Sequence, residues 1–247
     1  MPRSGFAVSC SLLPFGFGLS ILLVLLLEWL RPDVIPYELG TFWTVEQPFW
    51  TAFTDSLLLA WPPMAAGLLM TLIRLPRHRH VQRQLAWGDV AQPGRIITLG
   101  PFQLLFHSTL EEILFRWLLF YAAIAGAVIA DFVVLGFAGL HPIPWIFTEV
   151  FIPLADFATA GRLHEVLTTA PWTVAAAILT SNGRFRNSHT YQGLLGWIWS
   201  WYLGMFLFLI MFEHGLVAAI AVHIAYNLAT LVVHVAITGV LPRILVE

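Results

Sequence analysis

The sequence predicts an all-α fold, a polytopic transmembrane helical bundle of about six to eight helices around a buried polar chamber. Of the 247 residues, 59% are hydrophobic and only 11% are charged, whereas about 25% of the residues in soluble domains are charged. Several apolar stretches approach or exceed the ~20 residues that a membrane-spanning helix needs, and ionisable side chains recur inside them. We therefore expect residues 1–247 to form a single integral membrane domain, multi-pass, in the plasma (inner) membrane of a prokaryote.

The apolar stretches define the predicted spans. Six are long enough: Leu12–Leu30, Phe53–Ile73, Ile97–Tyr121, Ala122–His141, Leu194–Phe212 and Leu216–Val240. A shorter seventh candidate, Val166–Thr180, contains Pro171. Arg3 precedes the first span, which we interpret as a retained signal anchor because residues 28–32 form a poor cleavage site for a signal peptidase.

Charge predicts the topology and excludes some functions. The densest basic segment, Arg74–His80, lies between the second and third predicted spans and is followed by Arg83 and Arg95. The positive-inside rule places this loop, and hence the N-terminus two spans earlier, in the cytoplasm. A net charge of −2 gives no reason to expect a nucleic acid as partner. The chain has no lysine, which excludes Schiff-base chemistry, and Cys10 is its only cysteine, which excludes an internal disulfide.

Ionisable residues inside a span cost at least ~2.5–3.5 kcal/mol each, so they indicate a functional site. The third predicted span contains the adjacent carboxylates Glu111 and Glu112, which point about 100° apart on an α-helix. Arg116 follows Glu112 by four residues, so these two can pair on one face. Glu111 then lacks this partner and can point into a cavity as a reactive carboxylate. His107 lies one turn before it. The alternative is that the Glu112–Arg116 pair only clamps helices together.

Two further predicted spans also present polar groups. His141 ends the fourth span, just before Pro142, and His223 lies four residues before Asn227 on one face of the last span. Each of these residues, taken alone, could be an ordinary interfacial or interhelical side chain. Taken together, a carboxylate can act as general base towards a water, and Asn227 can donate to an oxyanion. Two imidazoles and a carboxylate could also hold zinc, with Glu111, His141 and His223 as the ligands.

In chain order, Glu111-Glu112-x-x-x-Arg116, Phe137-x-x-x-His141 and His223-x-x-x-Asn227 on separate spans resemble the CPBP intramembrane proteases. These are the CAAX prenyl endopeptidases and their bacterial Abi (bacteriocin-processing) relatives. The resemblance covers Pro101 to Thr238, which would be the catalytic core.

The resemblance implies an intramembrane metalloendopeptidase that cleaves a membrane-tethered or prenylated protein or peptide within the lipid bilayer. Glu111 and His141 would activate the water, while His223 and Asn227 would complete a zinc site or stabilise the oxyanion, with or without a metal. The interval from residue 142 to 192 is long for this family and could form a lid, an interfacial helix pair or an exosite. Two other classes stay open: an ion- or proton-coupled transporter, and a non-catalytic scaffold or immunity protein.

Overall fold

The computed structural model describes residues 21–29 except 23 and 27, and residues 36–44, 47–74 and 93–244. Every regular element in these ranges is helical and none is a strand, which confirms the all-α prediction. Four helical stretches are long and apolar enough to cross a membrane: Phe49–Ile73, Gly100–Val133, Thr190–His214 and Leu216–Val233. The chain is therefore a multi-pass membrane protein.

The helices have the following bounds. The α-helices are α1 Phe49–Arg74, α2 Pro93–Glu112, α3 Leu119–Val133, α4 Pro142–Ile146, α5 Ile152–Ala158, α6 His164–Thr168, α7 Trp172–Ser188, α8 Gly193–His214 and α9 Leu216–Ile244. Two segments are π-helical, Ile113–Leu118 and Phe147–Phe151. The chain packs into two compact units. Unit 1 comprises Met1–Thr44 and Ile113–Arg184, and unit 2 comprises Val45–Glu112 and Phe185–Glu247.

The predicted boundary between the third and fourth spans, Ile97–Tyr121 and Ala122–His141, is wrong. Gly100–Val133 is one continuous helical stretch of 34 residues, because Tyr121 is followed by alanines, which favour helix. The break comes later, where Leu135 and Gly139 adopt left-handed backbone with φ of 69° and 78°. Between them Gly136 packs so closely on the preceding helix that a Cβ there would lie 2.5 Å from the carbonyl oxygen of Asp131.

The other predicted spans have mixed outcomes. The seventh candidate, Val166–Thr180, is not one helix, since α6 ends at Thr168 and α7 begins just after Pro171. Proline has no backbone N–H to continue a helix but is tolerated where one starts. Most of the first predicted span, Leu12–Leu30, lies outside the described residues, as does most of the basic loop. The last two predicted spans correspond to α8 and α9.

Unit 1 holds its π segment through side chains that bond to nearby carbonyl groups. The hydroxyl of Ser181 on α7 donates to the carbonyl oxygen of Phe115, within the π segment, where i→i−4 bonding is interrupted. Two residues further along, the indole of Trp117 donates to the carbonyl of Leu39 at 2.8 Å, and the Tyr121 hydroxyl donates to that of Glu38 at 2.5 Å. These two hydrogen bonds attach residues 36–44 to Trp117 in the π segment and to Tyr121 in α3.

Unit 2 is built on the packing of its four long helices. In α8, every residue from Leu203 to Met211 is buried, as expected for a helix that is apolar on all sides. In turn, α9 packs against α1, α2 and α8. A close contact occurs at Gly67 of α1, where a Cβ would lie 2.2 Å from the Tyr226 hydroxyl and 2.5 Å from Nε1 of Trp199. Only a residue without a side chain fits there.

Candidate functional site

Two polar contacts join α2 and α9 in unit 2. Nδ1 of His223 lies 2.6 Å from Oε1 of Glu112, and Nδ2 of Asn227 donates to Oγ of Ser108 at 2.9 Å. Each helix contributes two residues that are four positions apart, so the contacts are one helical turn apart. Because the residue numbers rise along α2 as they fall along α9, the two helices run antiparallel at this point.

The His223–Glu112 contact is enclosed. Glu112 is 0% exposed and His223 is 3% exposed, and the ring of Phe185 meets the imidazole edge to face, with centroids 6.1 Å apart. A carboxylate only accepts hydrogen bonds, so Nδ1 carries the hydrogen and donates it to Glu112. The other ring nitrogen, Nε2, is then the one available for chemistry.

Glu111 lies on the opposite side of the imidazole. Its Oε2 is 3.7 Å from Nε2 of His223, and its side chain is 31% exposed. This distance is too long for a direct hydrogen bond, but a water can bridge the two atoms. His223 therefore has one carboxylate at each ring nitrogen, the buried Glu112 and the more accessible Glu111.

Two other residues of the third predicted span lie elsewhere. Nδ1 of His107 is 2.7 Å from the carbonyl oxygen of Gln103, one turn earlier on the same helix, and the residue is exposed. His107 thus has a local partner. Arg116 is 0% exposed and belongs to the π segment of unit 1. The predicted Glu112–Arg116 pairing assumed α-helical spacing, whereas the turns are wider from Ile113 onwards. The Glu112–Arg116 pairing therefore stays a prediction.

His141 belongs to unit 1 and has its own carboxylate. Its Nδ1 is 2.7 Å from Oδ2 of Asp131, and the two side chains are 58% and 14% exposed. The left-handed residues Leu135 and Gly139 fold the chain back after α3, which brings the residue before α4 onto the last turns of α3. The imidazole is oriented through Nδ1, and Nε2 is left for another partner.

The predicted zinc ligands are Glu111, His141 and His223. Within unit 2, Glu111 and His223 offer two donor atoms 3.7 Å apart, and the hydrogen bond from Nδ1 to Glu112 is the kind that orients a metal-bound histidine. Catalytic zinc usually has three protein ligands. Among the described residues, no group of three or more His, Cys, Asp or Glu side chains has the arrangement of a metal site.

Two members of these clusters were not predicted from the sequence. Ser108 precedes Glu112 by four residues, as His223 precedes Asn227, so the matching period was a usable signal. Asp131 is a carboxylate inside a predicted span, which alone marks a residue as a functional candidate. His234 follows His223 by eleven residues on α9, and its side chain is outside the described part of the chain.

Comparison with known proteins gives no match: no family model, no curated protein and no solved structure is similar to the chain.

Proposed function

We propose that the chain is an intramembrane endopeptidase that hydrolyses a peptide bond in a membrane-tethered or prenylated substrate. The observation that carries this proposal is the position of His223 between two carboxylates, with Nδ1 on the buried Glu112 and Nε2 facing the partly exposed Glu111. Such a group can take up and release protons at a fixed point inside an apolar unit. The predicted polar chamber would surround this point.

The hydrolytic step uses one water between Glu111 and His223. A water oxygen about 2.8 Å from both Oε2 of Glu111 and Nε2 of His223 is geometrically compatible with their 3.7 Å separation. Glu111 takes one proton from this water while the water oxygen attacks the scissile carbonyl carbon. The C–N bond then breaks and the proton passes from Glu111 to the leaving nitrogen. One water is consumed, and a carboxylic acid and an amine are released.

Asn227 and Glu112 have supporting roles in this scheme. One hydrogen of the Asn227 amide is used by Ser108, which holds the carboxamide in place. We assign the second hydrogen on Nδ2 to the oxyanion that develops on the carbonyl oxygen. Glu112 positions His223 and does not touch the substrate.

The zinc prediction is tested separately. Unit 2 supplies two of the three predicted ligands, so its donor set is one short of a catalytic zinc site, and no step of the proposal passes through a metal. Metal analysis of the purified chain is compared with that of the His141→Ala and His223→Ala double variant. Metal that persists in the double variant contradicts the ligand assignment.

The proposal is tested with the full chain in liposomes. Two probes are offered in ¹⁸O-labelled water: a farnesylated peptide ending in a CAAX sequence, and a single-span peptide without a prenyl group. Wild type is expected to cleave at least one of them, with ¹⁸O in the new carboxylate. Glu111→Gln should lower the rate by about 10²–10⁴-fold, because glutamine cannot accept the proton. Glu213→Gln, which alters an exposed carboxylate in the same unit, should cleave like wild type.

A folded Glu111→Gln variant that cleaves as fast as wild type contradicts the proposal. If wild type cleaves neither probe but moves protons or ions across the same liposomes, and Glu111→Gln abolishes that flux, the transporter alternative is favoured instead.

A further inference from the structure

Unit 1 contains a cavity of about 440 Å³ built from residues that the proposed hydrolysis does not use. It lies in the interval from residue 142 to 192, whose role the sequence left open as a lid, an interfacial helix pair or an exosite. Its walls come from the π segment Phe147–Phe151, from α5 and α6, and from the first residue of α7.

One wall of the cavity is acidic and has an unused acceptor. Oδ2 of Asp156 is 3.1 Å from Nδ1 of His164. The other carboxylate oxygen, Oδ1, is buried and has no hydrogen-bond partner among the described residues. A buried acceptor without a partner is costly, so a donor from outside the chain is expected to stabilise it. None of the described residues that line the cavity is an arginine. No guanidinium group of the lining therefore repels a cationic donor at this wall.

The remaining walls are apolar, and so is the outer surface next to them. Ile152, Leu167 and Trp172 line the cavity. On the elements that form it, Leu154 is 58% exposed and Phe157 is 86% exposed. In a multi-pass membrane protein, apolar side chains this exposed are suited to contact with lipid chains. The acidic wall therefore lies beside a surface that an acyl chain can cover.

We propose that this cavity binds a phospholipid through the primary amine of its headgroup. The ammonium group donates a charge-assisted hydrogen bond to Oδ1 of Asp156, and the acyl chains lie along the apolar surface of α5. The inference is independent of the proposed hydrolysis, and a Glu111→Gln chain should bind the lipid like wild type.

The test is native mass spectrometry of the full chain in detergent. The probes are phosphatidylethanolamine, phosphatidylcholine and phosphatidylglycerol with identical acyl chains at equal concentrations. Phosphatidylethanolamine should be retained about tenfold or more over the other two lipids. The choline headgroup has the positive charge but no N–H donor, and the glycerol headgroup has neither the positive charge nor an N–H donor. Asp156→Asn should lose this preference. Glu149→Gln, a neighbouring exposed carboxylate that does not line the cavity, should keep it.

Further variants and competitors identify the source of the amine. Ala170→Phe places a ring in the cavity and should abolish the retention with Asp156 intact, which covers the case in which Asp156→Asn does not fold. Ethanolamine or a lysine-containing peptide should not displace the lipid at equal concentration. Displacement by either, equal retention of the three lipids, or unchanged retention in a folded Asp156→Asn or Ala170→Phe variant overturns the proposal.

Discussion

Glu112 accepts a hydrogen bond from His223, and both side chains are buried. Glu112→Gln keeps an acceptor in place, whereas Glu112→Ala leaves the buried N–H of His223 without one, which costs about 1–3 kcal/mol in unfolding free energy. We expect kcat to fall by about 10-fold in the glutamine variant and by about 100-fold in the alanine variant, with KM unchanged. Cleavage kinetics and thermal unfolding of both variants check this. A change confined to KM would show that Glu112 contacts the substrate instead.

Asp131 makes a matching prediction in unit 1. Its carboxylate orients His141 through Nδ1, so Asp131→Asn can present an N–H to that nitrogen and reverse the hydrogen-bond polarity. If His141 acts on the water as the resemblance implies, the variant should lower kcat by about 10-fold or more with little change in thermal stability. Glu149→Gln alters an exposed carboxylate of unit 1 and serves as the control. Equal kinetics in wild type and Asp131→Asn would remove His141 from the catalytic assignment.

The cost of placing ionisable groups inside a span marked Glu111 and Glu112 as candidates, and the four-residue spacing placed His223 and Asn227 on one helix face. Neither signal could predict that Glu112 pairs with His223, since that contact joins residues 111 positions apart. The periodicity of one helix does not indicate which face of a distant helix packs against it.

Between whole helices, the contact at Gly67 gives the sharpest prediction. A Cβ at this residue would lie 2.2 Å from the Tyr226 hydroxyl, so Gly67→Ala forces α1 away from α9 and should cost about 1–3 kcal/mol. Gly126→Ala in α3 is the matched control, because nothing lies within 4 Å of the new Cβ. Alanine there should be neutral or stabilise the chain by up to about 1 kcal/mol. Thermal unfolding in detergent compares the two, and an equal effect contradicts the packing argument.

The extent of the helices was partly predictable from the sequence. Hydropathy identified the apolar stretches but divided Gly100–Val133 at Tyr121, because a length near 20 residues was taken as the unit of a span. It also could not indicate the π segment at Ile113–Leu118, whose turns depend on contacts such as that between Ser181 and Phe115. Pro171 marks the boundary between α6 and α7, but Pro62, Pro63 and Pro101 lie inside α1 and α2, so proline alone does not locate the helix ends.

For the molecule as a whole, joining two predicted spans into one alters the path of the chain across the membrane. If α2 starts in the cytoplasm after the basic loop, the helix ending at Val133 delivers the turn at Leu135 to the outside. Because α9 is antiparallel to α2, the turn at Gly215 also lies outside, and α8 therefore starts in the cytoplasm. The chain must then cross once between residues 134 and 189.

We expect α7 to make this crossing because it is the longest described helix between Val134 and His189, although it is not among the four stretches that are long and apolar enough to span a membrane. Its 17 residues are at the short end of what a bilayer needs, and Arg184 and Arg186 near its C-terminal end suit the cytoplasmic side. In a Cys10→Ser background, Phe137→Cys should react with an impermeant maleimide from outside intact cells. Ser188→Cys should react only in inverted vesicles. Labelling of both from the same side contradicts the crossing.

The distance along the chain between Glu112 and His223 also determines when the proposed activity can appear during translation. A ribosome synthesises both carboxylates at least 111 residues before it reaches the imidazole of His223. If the proposed hydrolysis is correct, a chain truncated between Glu112 and His223 carries both carboxylates without the imidazole, and we expect it to be inactive.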